Sequence, residues 1–383
     1  MRRRVRVRVT TEGWIWLVIA SVLSLTGVYK SINLVMLLGY AMFVVWLMNL
    51  ILAGRRLQSL DVRLHYRQPI FAGTPFSYEV EIHNRSPKTC FGIEIITWSP
   101  IFVVRLDAFE CLRRQKQHVI PRRGWYSFTR FQIKGGHPFG LVQRWRWLDG
   151  EYGMLVLPAL GQLEVDRLQR FHQADFERQQ SLPSIRRPVV ATGDFQGLRE
   201  FRDGDSPRWI HWRTSARQGN LMVREFESTS TNEMSVVLIP WLPETPSIEA
   251  TTHLEQAVSL AATLCSTCCR PGGRRLMLAV AEECAPVIFD SIASPDCEFD
   301  YLECLALTQG GPKPNVDLLL DRLRSMVLPA GPIIVILSGF ADGADRIRDE
   351  LNLPCVILES ARLADFDFYE PPAICQEEVV DEG

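Results

Sequence analysis

The sequence predicts three structured parts: two N-terminal transmembrane helices, a β-sandwich-like middle domain and a doubly wound α/β domain. Three observations support this prediction. Two uncharged apolar runs follow an arginine-rich start, short alternating runs with glycine and proline turns come next, and strands then alternate with helices. The predicted boundaries are 1–56 for the basic N-terminus and helical hairpin, 57–165 for the β-rich domain, 166–232 for a connector, 233–362 for the α/β domain and 363–383 for an acidic tail.

The composition is that of an ordinary globular chain. Of 383 residues, 47% are hydrophobic and 22% are charged, which excludes chain-wide disorder and collagen-like repeats. The formal net charge of −2 argues against a dedicated nucleic-acid binder, although it leaves room for a local basic patch. The 10 cysteines are too sparse for a disulfide scaffold, and their one cluster, Cys265, Cys268 and Cys269, offers too few ligands for zinc. We therefore expect reduced, mostly buried thiols in a cytosolic setting.

The helical hairpin is the first predicted element. Residues 13–29 and 31–54 carry no charge and are separated only by Lys30. At ~1.5 Å per helical residue, the first run is nearly as long as the bilayer core of about 30 Å is thick, and the second run is longer. A cleaved signal peptide and a buried core hairpin are the competing interpretations, and the second long run argues against the signal peptide. By the positive-inside rule, both termini lie in the cytoplasm, because arginines flank both outer ends: Arg2, Arg3, Arg4, Arg6 and Arg8 before the hairpin, and Arg55, Arg56, Arg63 and Arg67 after it.

The middle region has the alternation of a strand-rich domain. Strands are predicted at 76–83, 93–98, 117–120, 125–133 and 154–157, with turn residues between them. No catalytic constellation occurs here, so we interpret the domain as a spacer or interaction module.

The C-terminal region alternates strands and helices, as a parallel doubly wound sheet does. The predicted strands are 234–239, 276–281, 333–337 and 355–358, and the predicted helices are 247–269, 316–326 and 341–351. After Arg362 no basic residue follows, while seven acids do: Asp365, Asp367, Glu370, Glu377, Glu378, Asp381 and Glu382. Such a tail is typical of a solvated, mobile end, with partner binding as the alternative.

The densest motif lies at 193–227. Asp205 or Ser206 could cap a helix that begins at Pro207 and ends at Gly219. Helical spacing would then place Trp209, Trp212 and Ala216 on one buried face. Residues 221–226 are predicted to form a strand.

Six arginines share this motif with five acids that precede Glu227, which leaves two interpretations open. One is an internal ion-pair network that fixes the connector to the next domain, and the other is a binding or catalytic site. His211 could act as a general base with Asp203 or Asp205, but the sequence presents no nucleophile beside it. Two carboxylates fall short of a calcium loop. Arginine clusters also bind phosphate, so anionic lipid and nucleic acid are further alternatives.

The motif closely resembles the signature of the bacterial family called domain of unknown function fifty-eight. The resemblance extends over most of the chain, because the N-terminal helices and residues 122–126 and 137–141 are also similar to that family. The signature residues are Gly197, Arg199, Glu200, Asp203, Gly204, Asp205, Ile210, His211, Trp212, Arg213, Ala216, Arg217, Val223, Arg224 and Glu225.

The resemblance implies a C-terminal domain similar to von Willebrand factor A domains. It also implies two partners that are encoded beside such proteins, a MoxR-type AAA+ ATPase and a membrane-bound transglutaminase-like protein. Metal-binding A domains carry Asp-x-Ser-x-Ser after their first strand, where this chain has residues 240–244, Pro-Trp-Leu-Pro-Glu. Thr308, Ser338 and Asp342 could not build that site alone. We therefore expect neither a metal nor a cofactor.

These observations favour a non-enzymatic scaffold or adaptor. We expect a multi-pass protein of the inner membrane, with both termini and the soluble domains in the cytoplasm, acting with the MoxR-type ATPase. The alternatives are an arginine-rich binder of phosphate in anionic lipid or nucleic acid, and a hydrolase that uses His211 with Asp203 or Asp205.

Overall fold

The computed structural model describes residues 6–54, 57–180, 195–201, 210–226, 233–329, 331–339 and 355–372. The chain divides into two compact units, Met1–Val156 and Leu157–Gly383. The first contains two apolar helices and an antiparallel β region, and the second contains a mixed sheet with helices.

Helices α1 (Thr11–Tyr29) and α2 (Asn33–Leu52) confirm the predicted pair of N-terminal helices. Both are long and apolar enough to cross a membrane. Small residues let them approach closely, because a Cβ on Gly27 would lie 2.5 Å from the backbone nitrogen of Met36 and one on Gly39 would overlap Ser24. Trp16 Nε1 also donates a hydrogen bond to the Met42 carbonyl at 3.0 Å.

The larger antiparallel sheet of the first unit has the order β1-β9-β8-β5-β6, and β3 also pairs with β9. Its strands are β1 (Arg6–Val9), β3 (Ile70–Phe71), β5 (Cys90–Ile96), β6 (Pro100–Leu106), β8 (Gly124–Gly135) and β9 (Val142–Leu157). We call it the large sheet. Strand β1 precedes the helices, whereas its partner β9 follows them, so Val9 lies opposite Val142. The strand that precedes the hairpin therefore joins a sheet whose other strands all follow the hairpin.

A smaller sheet has the order β2-β4-β7, formed by β2 (Leu60–Tyr66), β4 (Pro75–Asn84) and β7 (Cys111–Val119). Buried and less buried residues alternate along β4, as expected of a strand with one face in a core. The ring of Tyr78 in β4 packs edge-on against Trp98, which follows β5, with centroids 4.8 Å apart. The five strands predicted from the sequence all overlap strands of these two sheets, whereas β1, β2, β3 and β6 were not predicted.

Hydrogen bonds tie the helical hairpin to the large sheet. Thr10 caps α1 by accepting from Gly13 N–H, and its hydroxyl lies 3.0 Å from the carbonyl oxygens of Gly140 and Leu141. At the end of α2, the fully buried Asn49 accepts from Val142 N–H at 2.8 Å. Polar side chains at both outer ends of the hairpin thus contact the segment that leads into β9.

The second unit has a five-stranded sheet of order β15-β14-β13-β16-β17. Its strands are β13 (Glu233–Ile239), β14 (Arg275–Val280), β15 (Val287–Ile292), β16 (Ile333–Leu337) and β17 (Cys355–Glu359). All neighbours are parallel except β14 and β15. The four predicted strands are confirmed, whereas β15 was missed. The predicted helix 341–351 lies outside the described residues.

Helices cover this sheet. They are α5 (Ile248–Cys269), α6 (Pro295–Leu307) and α7 (Val316–Ser325), of which α6 was not predicted. Leu319, Leu320 and Leu323 of α7 pack in a core cluster with Val237 of β13 and Val335 of β16. Neighbours along β13 that point the other way, such as Val236 and Leu238, are equally buried. Both faces of the sheet are therefore covered, as predicted for an α/β region.

The start of the predicted acidic tail is packed, which corrects the boundary at residue 363. Strand β18 (Tyr369–Glu370) pairs with β10 (Gln162–Leu163), and Phe368 packs on Phe171 of α3 (Val165–Gln180). Phe368 and Tyr369 are buried. Removing these apolar side chains from water favours a packed segment, although acidic residues flank them. Residues 373–383, with the last four acids, lie outside the described residues.

Candidate interaction surface

The signature motif folds into a hairpin and one short helix. Strand β11 (Phe195–Glu200) pairs antiparallel with β12 (Met222–Phe226), so Gly197 lies opposite Glu225 and Arg199 opposite Val223. Ile210 forms a further bridge to Val223, and both residues are buried. The two ends of the motif thus meet, although they are distant in the sequence.

Helix α4 (Trp212–Gln218) begins later than predicted. Ile210 is still in an extended bridge, and His211 is the N-cap: its Nδ1 accepts from Thr214 N–H at 3.2 Å. His211 N–H itself donates to Met222 O at 2.7 Å. The predicted end is confirmed, because Gly219 has the left-handed conformation, with φ of 79°, in which a side chain is disfavoured.

Hydrogen bonds of the Ser215 side chain hold α4 against β12. Its hydroxyl accepts from Met222 N–H at 2.8 Å and lies 3.2 Å from the His211 carbonyl oxygen, and the side chain is buried. Ser215 had no predicted role. A serine inside a short predicted helix was the available signal, because serine hydroxyls readily bond to nearby backbone groups.

The opposite side of α4 is exposed. Trp212 has 65% of its surface accessible, and Arg213, Ala216 and Arg217 are also exposed. The prediction that Trp212 and Ala216 lie on a buried face is therefore wrong. The physical reason is that Ser215 is the residue that faces β12. At ~100° of rotation per residue, Trp212 and Ala216 are turned about 60° and 100° from Ser215 around the helix, and Arg213 and Arg217 lie nearly opposite it. We call Trp212, Arg213, Ala216 and Arg217 the α4 surface.

The other signature residues divide into three groups. Glu200 accepts a hydrogen bond from Asn220 Nδ2 at 3.2 Å near the end of the hairpin. Gly197, Arg199, Arg224 and Glu225 have defined positions in the two strands. Asp203, Gly204 and Asp205, together with Trp209 and the proposed caps, lie outside the described residues.

The described part of the motif has the chemistry of a contact surface. The His211 ring is engaged at Nδ1 as a helix cap, and the Ser215 hydroxyl is bonded to backbone groups. Two exposed arginines, at positions i and i+4, sit beside an exposed tryptophan. Tryptophan and arginine are the residue types most enriched at energetically important positions of protein interfaces.

The hydroxyls considered for a metal site have structural roles. Ser338 Oγ lies 2.8 Å from the carbonyl oxygen of Trp241 and donates to it, and Thr308 Oγ1 donates to the carbonyl of Cys304 at 2.9 Å. Asp342 lies outside the described residues. Across the described ranges, no group of three or more His, Cys, Asp or Glu side chains could hold a metal ion.

The cysteine cluster of α5 is a set of protonated, buried thiols. Burial raises the pKa of Cys268 to about 11 and that of Cys269 to about 12, and it raises the pKa of Cys265 as well. Thiols of this kind are poor nucleophiles and poor metal ligands at neutral pH.

Comparison with known families finds one match, and the matched segment includes the α4 surface. Residues 197–343 match the model of the family described as protein of unknown function DUF58. The DUF58 match begins in β11 and continues past β16, so it includes the hairpin, the α4 surface and most of the α/β region. It supports the family resemblance that the signature carries. No curated protein matches the chain.

Proposed function

We propose that this protein is a non-enzymatic, membrane-anchored scaffold that presents the α4 surface to a MoxR-type AAA+ ATPase in the cytoplasm. The observation that carries the proposal is the exposure of Trp212 beside two arginines on a helix fixed from behind by Ser215. A rigid aromatic side chain loses little conformational entropy on binding, and guanidinium groups pair well with acidic partners.

The proposed anchor is the helical hairpin. Large apolar side chains point outward along both helices, including Val18, Val22, Leu34, Leu37 and Val44. Soluble monomers rarely expose contiguous apolar patches larger than a few hundred Å². The tight glycine contacts between the helices are typical of packing inside a bilayer. These features support insertion of α1 and α2 as two spans.

The pairing of β1 with β9 supports a retained hairpin over a cleaved signal peptide. Cleavage after α1 would remove Arg6–Val9 from the large sheet and leave the edge of β9 open. Because β1 and β9 lie on the same side of the bilayer, two crossings are needed between them. Arginines at 6, 8 and 63, against Lys30 alone in the connecting loop, favour the cytoplasmic side of the inner membrane.

The C-terminal α/β region completes the proposal. Its parallel strands, with both faces covered, are compatible with the von Willebrand A-like fold that the family resemblance implies. In the same way, the two antiparallel sheets of the first unit suit a β-sandwich. The resemblance also implies the transglutaminase-like membrane protein as a second partner. Contacts in this scheme run through side chains such as Trp212, without a bridging metal.

A pull-down from native membranes tests the proposal. Full-length tagged protein, solubilised in detergent, is compared with Trp212→Ala and with Trp125→Ala, in the presence and absence of ATP. Trp125 is a matched control because it is 63% exposed but lies in the first unit. We expect mass spectrometry to find an AAA+ ATPase with wild type and Trp125→Ala, and at least about tenfold less with Trp212→Ala.

Two results would contradict the proposal. Equal recovery with Trp212→Ala would show that the α4 surface is not the contact, and absence of any ATPase would remove the partner. Arg213 and Arg217 also favour phosphate binding as the second candidate function. In that case, nucleic acid or anionic lipid would be recovered instead, and its recovery would fall steeply as salt is raised.

A further inference from the structure

A cavity of about 420 Å³ opens at one end of the large sheet, outside the motif described above. Its lining combines apolar side chains of β5 and β6 (Phe91, Phe102 and Val104) with two charged ones, Glu94 of β5 and Lys134 of β8. The volume lies within the range of pockets that bind small molecules. We call it the membrane-end cavity.

Strand register fixes its position relative to the hairpin. Val9, the last residue before the α1 cap, lies opposite Val142 at the start of β9. Gly135, at the end of β8, lies opposite Arg144 of β9 and Ile93 of β5. The lining residues of β5 and β8 therefore lie at the end of the sheet from which α1 departs. If the hairpin spans the bilayer, as proposed above, the cavity opens at the bilayer surface.

The helices and the cavity share one segment of backbone. Gly136 and Gly140 line the cavity. Asn49 Nδ2 of α2 donates to the Gly136 carbonyl at 3.5 Å, and Thr10 Oγ1 lies 3.0 Å from the Gly140 carbonyl. This link holds the cavity at a fixed depth relative to the ends of α1 and α2.

The apolar part of the lining is left open to solvent. Phe102 and Val104 are 66% and 70% exposed on β6, the edge strand of the large sheet. Phe91 stacks on His137 with ring centroids 5.0 Å apart, yet it is also exposed. Covering these side chains with an acyl chain would gain about 25 cal/mol per Å² of apolar surface removed from water.

The charged part of the lining contains one acid and one base. Glu94 and Lys134 are directly opposite each other in the β5–β8 register, so their side chains share one face of the sheet. Among the residues that the structure describes, neither forms an ion pair. Both charges are therefore available to a ligand that carries a group of each sign.

We propose that the membrane-end cavity binds a bilayer phospholipid whose headgroup has both a phosphate and a primary ammonium, as in phosphatidylethanolamine. The phosphate pairs with Lys134 and the ammonium donates to Glu94. An acyl chain lies against Phe91, Phe102 and Val104. This inference rests on the proposed membrane anchoring, because the lipid reaches the cavity from the bilayer that the hairpin spans.

Photocrosslinking in lipid nanodiscs tests it with the full-length protein. A benzophenone amino acid replaces Phe102, Leu37 or Trp125 in separate variants. The discs contain phosphatidylethanolamine, phosphatidylcholine and phosphatidylglycerol in equal amounts, and mass spectrometry identifies the lipid adducts. Leu37 reports on insertion of α2, and Trp125, at the opposite end of β8, reports on non-specific contact. We expect adducts at positions 102 and 37 and none at 125.

The identity of the lipid headgroup is tested by comparing the yields of the three lipid adducts. At position 102 we expect phosphatidylethanolamine adducts to exceed each other lipid about tenfold, since one charge-assisted hydrogen bond is worth roughly that factor. Glu94→Gln in the same background should abolish this excess. Lys134→Ala removes the partner of the phosphate that all three lipids share, so it should lower the yield of all three adducts at position 102. Adducts at position 37 should persist in both variants. The choline headgroup lacks an N–H donor, so phosphatidylcholine tests the role of Glu94.

The failure of this inference is distinguishable from failure of the membrane anchor. Adducts at 37 without adducts at 102 would leave the anchor intact and overturn the lipid site. Adducts at neither position would overturn both. Equal labelling at 102 and 125, or equal yields of the three lipids at 102, would also overturn the specific site.

Discussion

Asn49, near the end of an apolar helix, accepts a hydrogen bond from the backbone N–H of Val142 at the start of β9. Its amide nitrogen also lies 3.5 Å from the Gly136 carbonyl, and the side chain is fully buried. One polar side chain thus accepts from the backbone N–H of Val142 and shares the Gly136 carbonyl with the backbone N–H of Gly140. The hairpin is a structural part of the first unit rather than a flexible tether.

Asn49→Ala should destabilise the first unit by about 1–3 kcal/mol, because it leaves the buried Val142 N–H without its partner. Denaturant unfolding of the full-length protein in detergent measures this change. Asn33→Ala is the matched control, since Asn33 is exposed at the start of the same helix. Equal losses in both variants would show that the Asn49 bonds do not stabilise the fold.

Gly39→Val should weaken the contact between α1 and α2 by about 1–3 kcal/mol, because any Cβ at this position overlaps Ser24. Ala41→Val adds comparable bulk at an exposed position of the same helix and should be tolerated. The melting temperatures of the two variants, measured in detergent or nanodiscs, test this prediction. A Gly39→Val protein as stable as Ala41→Val would contradict the close helix packing.

Ser215→Ala should destabilise the hairpin region by about 1–3 kcal/mol, since it leaves the Met222 N–H without an acceptor. Arg213→Ala and Arg217→Ala should leave the melting temperature unchanged, because both side chains are exposed. These two variants should instead reduce partner recovery in the pull-down. If the arginine variants have lower melting temperatures than Ser215→Ala, the assignment of the packed and the exposed side of α4 is wrong.

Glu81→Gln should speed alkylation of Cys111 several-fold at pH 8. The thiol donates to the Glu81 carboxylate, and this hydrogen bond and charge raise the pKa of Cys111, against the opposing effect of Arg113. Removing the charge lowers that pKa and increases the thiolate fraction. Exposed Cys284 is the internal reference, whereas buried Cys268 and Cys269 should not react. An unchanged ratio of Cys111 to Cys284 labelling would refute the coupling.

Lowering the pH should reduce the contribution of Glu81 to the stability of the folded state. Hydrogen bonds from Cys111, His65 and Arg113 lower the pKa of Glu81 from 4.5 to about 2. Between these values the unfolded chain binds more protons than the folded one, so the contribution is complete above pH 4.5 and is lost as the pH falls towards 2. The stability difference between wild type and Glu81→Gln should therefore shrink over that range. Glu244→Gln, at an exposed loop position, should show no such trend.

The sequence predicted what depends on local pattern. The uncharged runs indicated α1 and α2, alternation indicated β4, and Gly219 indicated the end of α4, because each signal lies within one element. Strand β1 could not be predicted in this way, since four residues with alternating arginines become a strand only through pairing with β9. The exposure of Trp212 was also missed, because it depends on the bond between Ser215 and Met222 across the hairpin.

The position of β1 also sets an order of events during synthesis. Thr10 and Gly140, which hydrogen-bond beside the β1–β9 pair, are 130 positions apart in the chain. At about 5–20 residues synthesised per second, the first strand waits on the order of 10 s for its partner to leave the ribosome. The large sheet is therefore closed last by its first strand, after the hairpin has been made. Truncation of Arg6–Val9 would remove that closing step and leave one edge of the sheet open to other chains.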